Sequence, residues 1–304
     1  MASAPEGTTG RYTEDEIASQ PGLWARAAAS ASEFAGALPR PGERVAVVGC
    51  GTSWFIAQSY AALREAAGHG ETDAFAASEF PAGRRYDRLL GLSRSGTTTE
   101  VLDLFAQVRG TMATSAITAD PNTPIVDAVD ELAVIDYADE RSVVQTRYAT
   151  TQLMLLRAHL GEDLASAIAD AEKALTEPLP EAALAAEQIT YLGRGWTVGL
   201  ANEAALKMRE AARFWTESYP AMDYRHGPIS ITGPGRAVWM FGEPPAGLTE
   251  QVAGVGGTMV TSTLDPLADL VRAQRVAVQV ALTRGMNPDV PHNLTRSVIL
   301  DAGH

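Results

Sequence analysis

RVAVVGCGTSWFIAQSYAALREAAG, residues 44–68, decides the fold. Its opening, RVAVVGC (44–50), is a continuous apolar run rather than an alternating one, which reads as a strand buried on both faces. A Gly-x-Gly turn with two hydroxyls, Thr52 and Ser53, follows it. SWFIAQSYAALREAAG (53–68) then carries apolar residues at helical spacing. The same alternation continues outward. TDAFAASEF (72–80), RLLGLSRSG (88–96), TSAITAD (114–120) and LAVIDYAD (132–139) read as short apolar strands, with helices at 97–109 and 143–160 between and after them. Buried strands alternating with helices predict an α/β fold with a mainly parallel sheet.

After an Ala-rich helical stretch at 163–187, broken by Pro178 and Pro180, the pattern restarts. ITYLGRG (189–195) reads as a strand and 197–217 as one long helix, followed by the strands RAVWMFG (236–242) and GTMVTST (257–263) and a helix at 267–285. VVGCGTS and YLGRGWT echo one another as strand-to-helix turns, as expected of a duplicated α/β unit. The predicted organisation is a helical lead-in (1–40), a first α/β domain (41–161), a helical linker (162–188) and a second α/β domain (189–304). Neither turn completes GxGxxG, which disfavours a dinucleotide cofactor.

Composition narrows the function. The formal charge of −13, from 24 Lys and Arg against 37 Asp and Glu, repels phosphate backbones and anionic lipid, so neither nucleic acid nor a membrane surface is an expected partner. No apolar run approaches the ~20 residues needed to span a bilayer, and no secretory leader is recognisable. One cysteine, Cys50, precludes an internal disulfide, in keeping with a cytoplasmic protein. His69, His159 and His304 are isolated, so no metal is expected.

Two clusters carry chemistry. Thr52 and Ser53, and then Ser93-Arg94-Ser95-Gly96-Thr97-Thr98, sit where a strand becomes a helix. In a parallel sheet both turns lie at the carboxyl edge, and hydroxyls beside N–H groups at a helix N-terminus make an anion site suited to a phosphate monoester. The alternative is ordinary helix capping. In NEAALKMRE, Glu203, Lys207 and Glu210 fall within roughly 60° of one another on a helix, placing two carboxylates and an amine on one face. His226 follows on a segment broken by Gly227 and Pro228, a way to bring a loop histidine to such a face. Solvated i,i+4 pairs are the alternative here.

CGTSWFIA (50–57), ASEF (77–80), LSRSGTTTE (92–100), ERSVVQTRYATTQL (140–153), ANEAALKMRE (201–210), YRHGP (224–228) and PHNLTRSV (291–298) occur in an order and spacing that resemble the sugar isomerase (SIS) domain family. The likeness is greatest to the isomerase half of the glucosamine-6-phosphate synthases and to related phosphosugar isomerases and deaminases. The resemblance implies two tandem flavodoxin-like three-layer α/β/α domains. It implies a phosphosugar isomerase acting on a hexose or hexosamine 6-phosphate by enediol-type proton transfer, with deamination as a further possibility and no cofactor. By the same resemblance Ser53, Ser93, Arg94, Ser95 and Thr98 hold phosphate, and Val143 lies in a segment contacting the sugar. Glu203, Lys207, Glu210 and His226 match the catalytic positions. Glu210 moves a proton between C1 and C2, and His226 opens the ring from the neighbouring subunit of a homodimer. Nothing before residue 40 resembles a glutamine-hydrolysing domain, so no glutaminase activity is expected. Arg296 stands where the synthases carry an imine-forming lysine; a guanidinium stays protonated and cannot take that role, though it can bind substrate. The competing class is a regulatory SIS protein that binds sugar phosphate without catalysis.

Overall fold

Val45–Gly49 forms an interior strand of a five-stranded parallel sheet, and all five of its residues are buried. The computed structural model describes residues 9–300; His304 and the first eight residues lie outside them. In chain order the elements are α1 (Arg11–Ala18), α2 (Gln20–Ser30), β1 (Val45–Gly49), α3 (Thr52–Ala66), β2 (Thr72–Ala76), β3 (Arg88–Leu92), α4 (Thr99–Val108), β4 (Ala113–Thr118), α5 (Ile125–Ala128), β5 (Glu131–Val134) and α6 (Arg147–His159). They continue as α7 (Ala165–Thr176), α8 (Glu181–Leu184), β6 (Gln188–Gly193), α9 (Thr197–Ala212), β7 (Thr216–Pro220), β8 (Arg236–Met240), α10 (Leu248–Gly254), β9 (Thr258–Val260) and α11 (Pro266–Thr283).

The first sheet runs β2-β1-β3-β4-β5 and the second β7-β6-β8-β9, every pairing parallel. The fold is therefore α/β with parallel sheets, as the apolar runs predict. Two compact units divide the chain. One holds β1–β5 and comprises Gly22–Glu140, Arg147–Leu164 and the chain from Thr295; the other holds β6–β9 and comprises the chain up to Pro21, Arg141–Thr146 and Ala165–Leu294. In the β1–β5 unit, α4 turns Val101, Leu104, Phe105 and Val108 inward at 3.6-residue spacing onto Ala46, Val48 and Leu89 of the strands.

The echo between VVGCGTS and YLGRGWT is geometric as well as sequential. Gly51 and Gly195 both take positive φ, 54° and 57°, a conformation that strains any residue with a Cβ. At Gly49 a Cβ would lie 2.7 Å from the Ser53 backbone, and at Gly193 only 2.2 Å from the Thr197 carbonyl oxygen. Both glycines let a helix start against its own strand. Gly193→Ala is accordingly expected to displace α9 and lower stability by about 1–3 kcal/mol through overpacking, measured as a lower urea midpoint at unchanged m.

Three elements differ from the sequence reading. The helix predicted over 197–217 stops at Ala212, because Arg213 adopts a left-handed cap at φ 47°, and Thr216–Pro220 becomes edge strand β7. Helix α10 carries only seven residues and was not anticipated. Residues 143–146, expected to open a helix, lie outside α6, and the backbone N–H of Val143 donates to the Asp289 carbonyl instead.

Candidate active site

In the first sheet β1 and β3 are neighbours in parallel register, while their outer partners β2 and β4 lie on opposite sides. The chain thus reverses its direction of growth between β1 and β3, and the carboxyl edge of such a switch point is where open α/β sheets take ligands. The turns Cys50–Ser53 and Ser93–Thr98 both leave from that edge.

Within the second turn, the Ser93 hydroxyl accepts the Gly96 N–H at 3.1 Å and the Ser95 hydroxyl accepts the Thr97 N–H at 3.3 Å. A hydroxyl that accepts from the backbone keeps its own proton to donate. Ser53, 5% exposed, has no side-chain partner among the described residues. Thr98 is the N-cap of α4 and Gly51 that of α3, yet neither helix has a side-chain capping bond. Thr52 is likewise inside α3 rather than at its cap. These hydroxyls therefore do not serve as conventional caps, and the arrangement suits an uncharged oxyanion cradle. The backbone is less open than expected. The Ser53 N–H is taken by the Cys50 carbonyl, and the Thr99 N–H by the carbonyl of Val298, on the C-terminal segment. That segment is tied down further by a hydrogen bond between the Thr97 and Ser297 hydroxyls, 2.8 Å, and by the Leu300 N–H on the Thr99 hydroxyl, 2.9 Å.

Both arginines assigned to anion binding on sequence grounds are engaged with protein groups. Arg94, 2% exposed, sets Nη1 3.2 Å from Glu140 Oε2 and donates from Nη2 to the Arg296 carbonyl at 3.0 Å. Burial of the Glu140 carboxylate demands a facing cation, and Arg94 supplies it. The Arg296 side chain reaches the Glu140 carbonyl and the Asp139 carboxylate. Together the two guanidiniums brace the cradle turn against the C-terminal segment. Cys50, at the first turn, has its thiol pushed up to about 11 by burial, next to Glu100, so it is a poor nucleophile.

The cluster of Glu203, Lys207 and Glu210 lies in the β6–β9 unit. Lys207, 1% exposed, has its Nζ 3.4 Å from Glu203 Oε1 and 2.5 Å from Glu210 Oε2. This is one face of α9, as the i, i+4 and i+7 spacing requires. The Glu203 side chain is fully buried whereas that of Glu210 is 20% exposed. Of the two carboxylates flanking the amine, Glu210 is thus the one open to a ligand. His226 ends a 3-10 turn, Asp223–His226, and is exposed; Gly227 beyond it takes φ 143°. Val143 is half-buried in the segment Arg141–Thr146 of the same unit. Sequence reasoning missed Glu140, Glu16 and Asp289, whose partners lie 46 to 276 residues away, beyond any local pattern. Among the described residues no group of three or more His, Cys, Asp and Glu is placed to hold a metal, and no helix is long and apolar enough to cross a membrane.

No family model matches the chain. It is 28% identical to the glutamine–fructose-6-phosphate aminotransferase (isomerizing) of Gloeobacter violaceus, over 85% of this chain and 52% of that protein. The corresponding enzyme of Sulfurisphaera tokodaii is 25% identical over 85% of this chain and 50% of its own length. The chain spans about half the length of these curated relatives. Among solved structures, glucosamine-6-phosphate deaminase from Thermotoga maritima superposes with a TM-score of 0.80 at 23% identity, covering 95% of this chain and 100% of that one. Tagatose-6-phosphate ketose/aldose isomerase from Escherichia coli gives 0.79 at 20% identity, covering 99% of each. The chain shares the fold of these phosphosugar enzymes across nearly its whole length.

Proposed function

We propose that the chain is a phosphosugar isomerase of two tandem SIS-type domains, acting on a hexose or hexosamine 6-phosphate. The reading rests above all on Lys207, buried between one inaccessible and one accessible carboxylate. A lysine clamped this way is preorganised to stabilise charge on oxygen while the open carboxylate exchanges a carbon-bound proton. In this reading Glu210 carries the proton between C1 and C2 of the open-chain sugar, Lys207 faces the developing enediolate, and Glu203 holds the amine in place. The hydroxyls of Ser53, Ser93, Ser95 and Thr98 hold the phosphate. His226 opens the ring, and its exposure suits a histidine that completes the site of a second copy in a homodimer. Arg296 cannot form an imine, which favours direct enediol chemistry or release of an amine already on the substrate. The names of the similar proteins, which join amino-group transfer, deamination and ketose–aldose isomerisation on fructose, glucosamine and tagatose 6-phosphates, support this substrate class.

The test is incubation with a panel of hexose and hexosamine 6-phosphates, with ketose formation and ammonia release read separately. Ketose without ammonia identifies an isomerase, and ammonia a deaminase. Tight phosphosugar binding without turnover would leave a sensor, and absence of binding would sink the reading. Within the cradle, Ser95→Ala is expected to raise KM for phosphorylated substrates by roughly 10- to 150-fold, the loss of one hydrogen bond to a charged group at about 1.5–3 kcal/mol. An unchanged KM would remove Ser95 from the phosphate site.

A further inference from the structure

A cleft of about 790 Å³ opens at the carboxyl edge of the second sheet, where Glu243 follows β8 and Thr261, Ser262 and Thr263 follow β9. That edge is where open parallel sheets take ligands, and the volume suits a small molecule. Arg272 of α11 and Glu177, just past α7, line it as well. Arg272 is 8% exposed, yet its guanidinium is only partly used. Nη1 donates to Asp269 at 2.8 Å, and Asp269, 1% exposed, also accepts the Trp239 indole N–H at 2.7 Å. The guanidinium carbon stands 5.6 Å from the centre of the Trp239 ring. These contacts hold the group in one orientation. Nε, by contrast, is buried without a hydrogen bond, and Glu177 Oε2 at 3.7 Å is beyond hydrogen-bond reach. A buried donor without an acceptor is costly, so this one calls for an acceptor on a bound molecule.

The rest of the lining selects against an anion. Asp269 already pairs with Arg272, which leaves Glu177 and Glu243 as an excess of negative charge. Glu243 is exposed and has no hydrogen bond or ion pair among the described residues. The N-terminus of α11, which could otherwise hold a phosphate, is occupied by its own N-cap, because Asp265 accepts the Leu267 N–H at 2.9 Å. The Ser262 hydroxyl accepts the Leu264 N–H at 3.1 Å and keeps its proton to donate. Thr261 and Thr263 are exposed, and neither hydroxyl has a partner among the described residues. Two carboxylates suit a protonated amine, and three hydroxyls with the Arg272 Nε suit hydroxyl groups on the same molecule.

We infer that this cleft binds a polyhydroxylated primary amine carrying no phosphate, through residues that take no part in the chemistry assigned to Lys207 and the hydroxyl cradle. Failure of phosphosugar turnover would leave this binding unchanged. Titration of the whole chain with glucosamine, followed by amide NMR shifts, is expected to move Glu243 and Thr261–Thr263. Glucose, which lacks the amine, should bind at least about 10-fold more weakly, and inorganic phosphate should move none of these amides. Glu243→Gln removes the charge of an exposed side chain that holds nothing else in place, so the fold survives; Kd for glucosamine is expected to rise by about 10-fold. No shift at about 10 mM glucosamine, ten times a millimolar Kd, would overturn the proposal. Equal binding of glucose would overturn the amine assignment, and a larger response to phosphate would make the cleft an anion site. An unchanged Kd in both Glu243→Gln and Glu177→Gln would place the amine elsewhere and refute the assignment.

Discussion

Glu210→Gln is expected to lower turnover of a hexose or hexosamine 6-phosphate by at least about 10²-fold, with little change in substrate affinity. The amide matches the carboxylate in shape and its oxygen can still accept from Lys207, which keeps Glu203 on its other side at 3.4 Å. Folding should survive, and the change isolates loss of the base. Exchange of the C2 proton with solvent deuterium gives a second reading of the same step. Variant turnover within about threefold of wild type would move the proton-transfer role away from Glu210. The fully buried Glu203 would replace it only if the helix face opened.

Arg94→Ala is expected to cost about 3–5 kcal/mol of stability, because it removes the cation facing the buried Glu140 carboxylate. A urea titration at constant m measures it. Replacing both partners, Arg94→Met with Glu140→Leu, should restore most of that loss, since two apolar groups of similar volume leave no buried charge. A loss below about 1 kcal/mol in the single variant would place the pair with weakly coupled surface ions. The exposed pair of Arg296 with Asp139 should contribute far less.

The contrast between Arg94 and its neighbours shows what the chain reveals locally. Val45–Val48 and Leu89–Leu92 announce buried parallel strands by their unbroken apolar character, and the hydroxyls of Ser93 and Ser95 fall at the strand-to-helix turn because the turn itself needs their oxygens. The face of α9 is legible for the same reason: 3.6-residue periodicity alone brings Glu203, Lys207 and Glu210 together. What escaped sequence reasoning depends on distance along the chain. The pairing of Arg94 with Glu140 lies 46 residues along the chain, and Glu16 read as one acid of a polar lead-in although it meets Ser142 across 126 residues. Strand β7 escaped for a local reason. A helix that ends on Arg213 rather than glycine carries no stop signal, so the apolar period ran on.

The β6–β9 unit draws on three separate stretches of chain, and this has a consequence during synthesis. Helix α1 precedes both sheets along the chain, but Gln274 of α11, which receives Gln20 just beyond α1, follows 254 residues later. At about 5–20 residues per second the helix waits on the order of 10–50 s for its docking surface. The five-stranded sheet, complete by Val134, can assemble in that interval. An eight-residue helix alone in water is below the length that sustains itself, so α1 stays largely unformed until then. The unit that carries Lys207 therefore reaches its native packing only once α11 has appeared, leaving α1 exposed to proteases and chaperones in that interval.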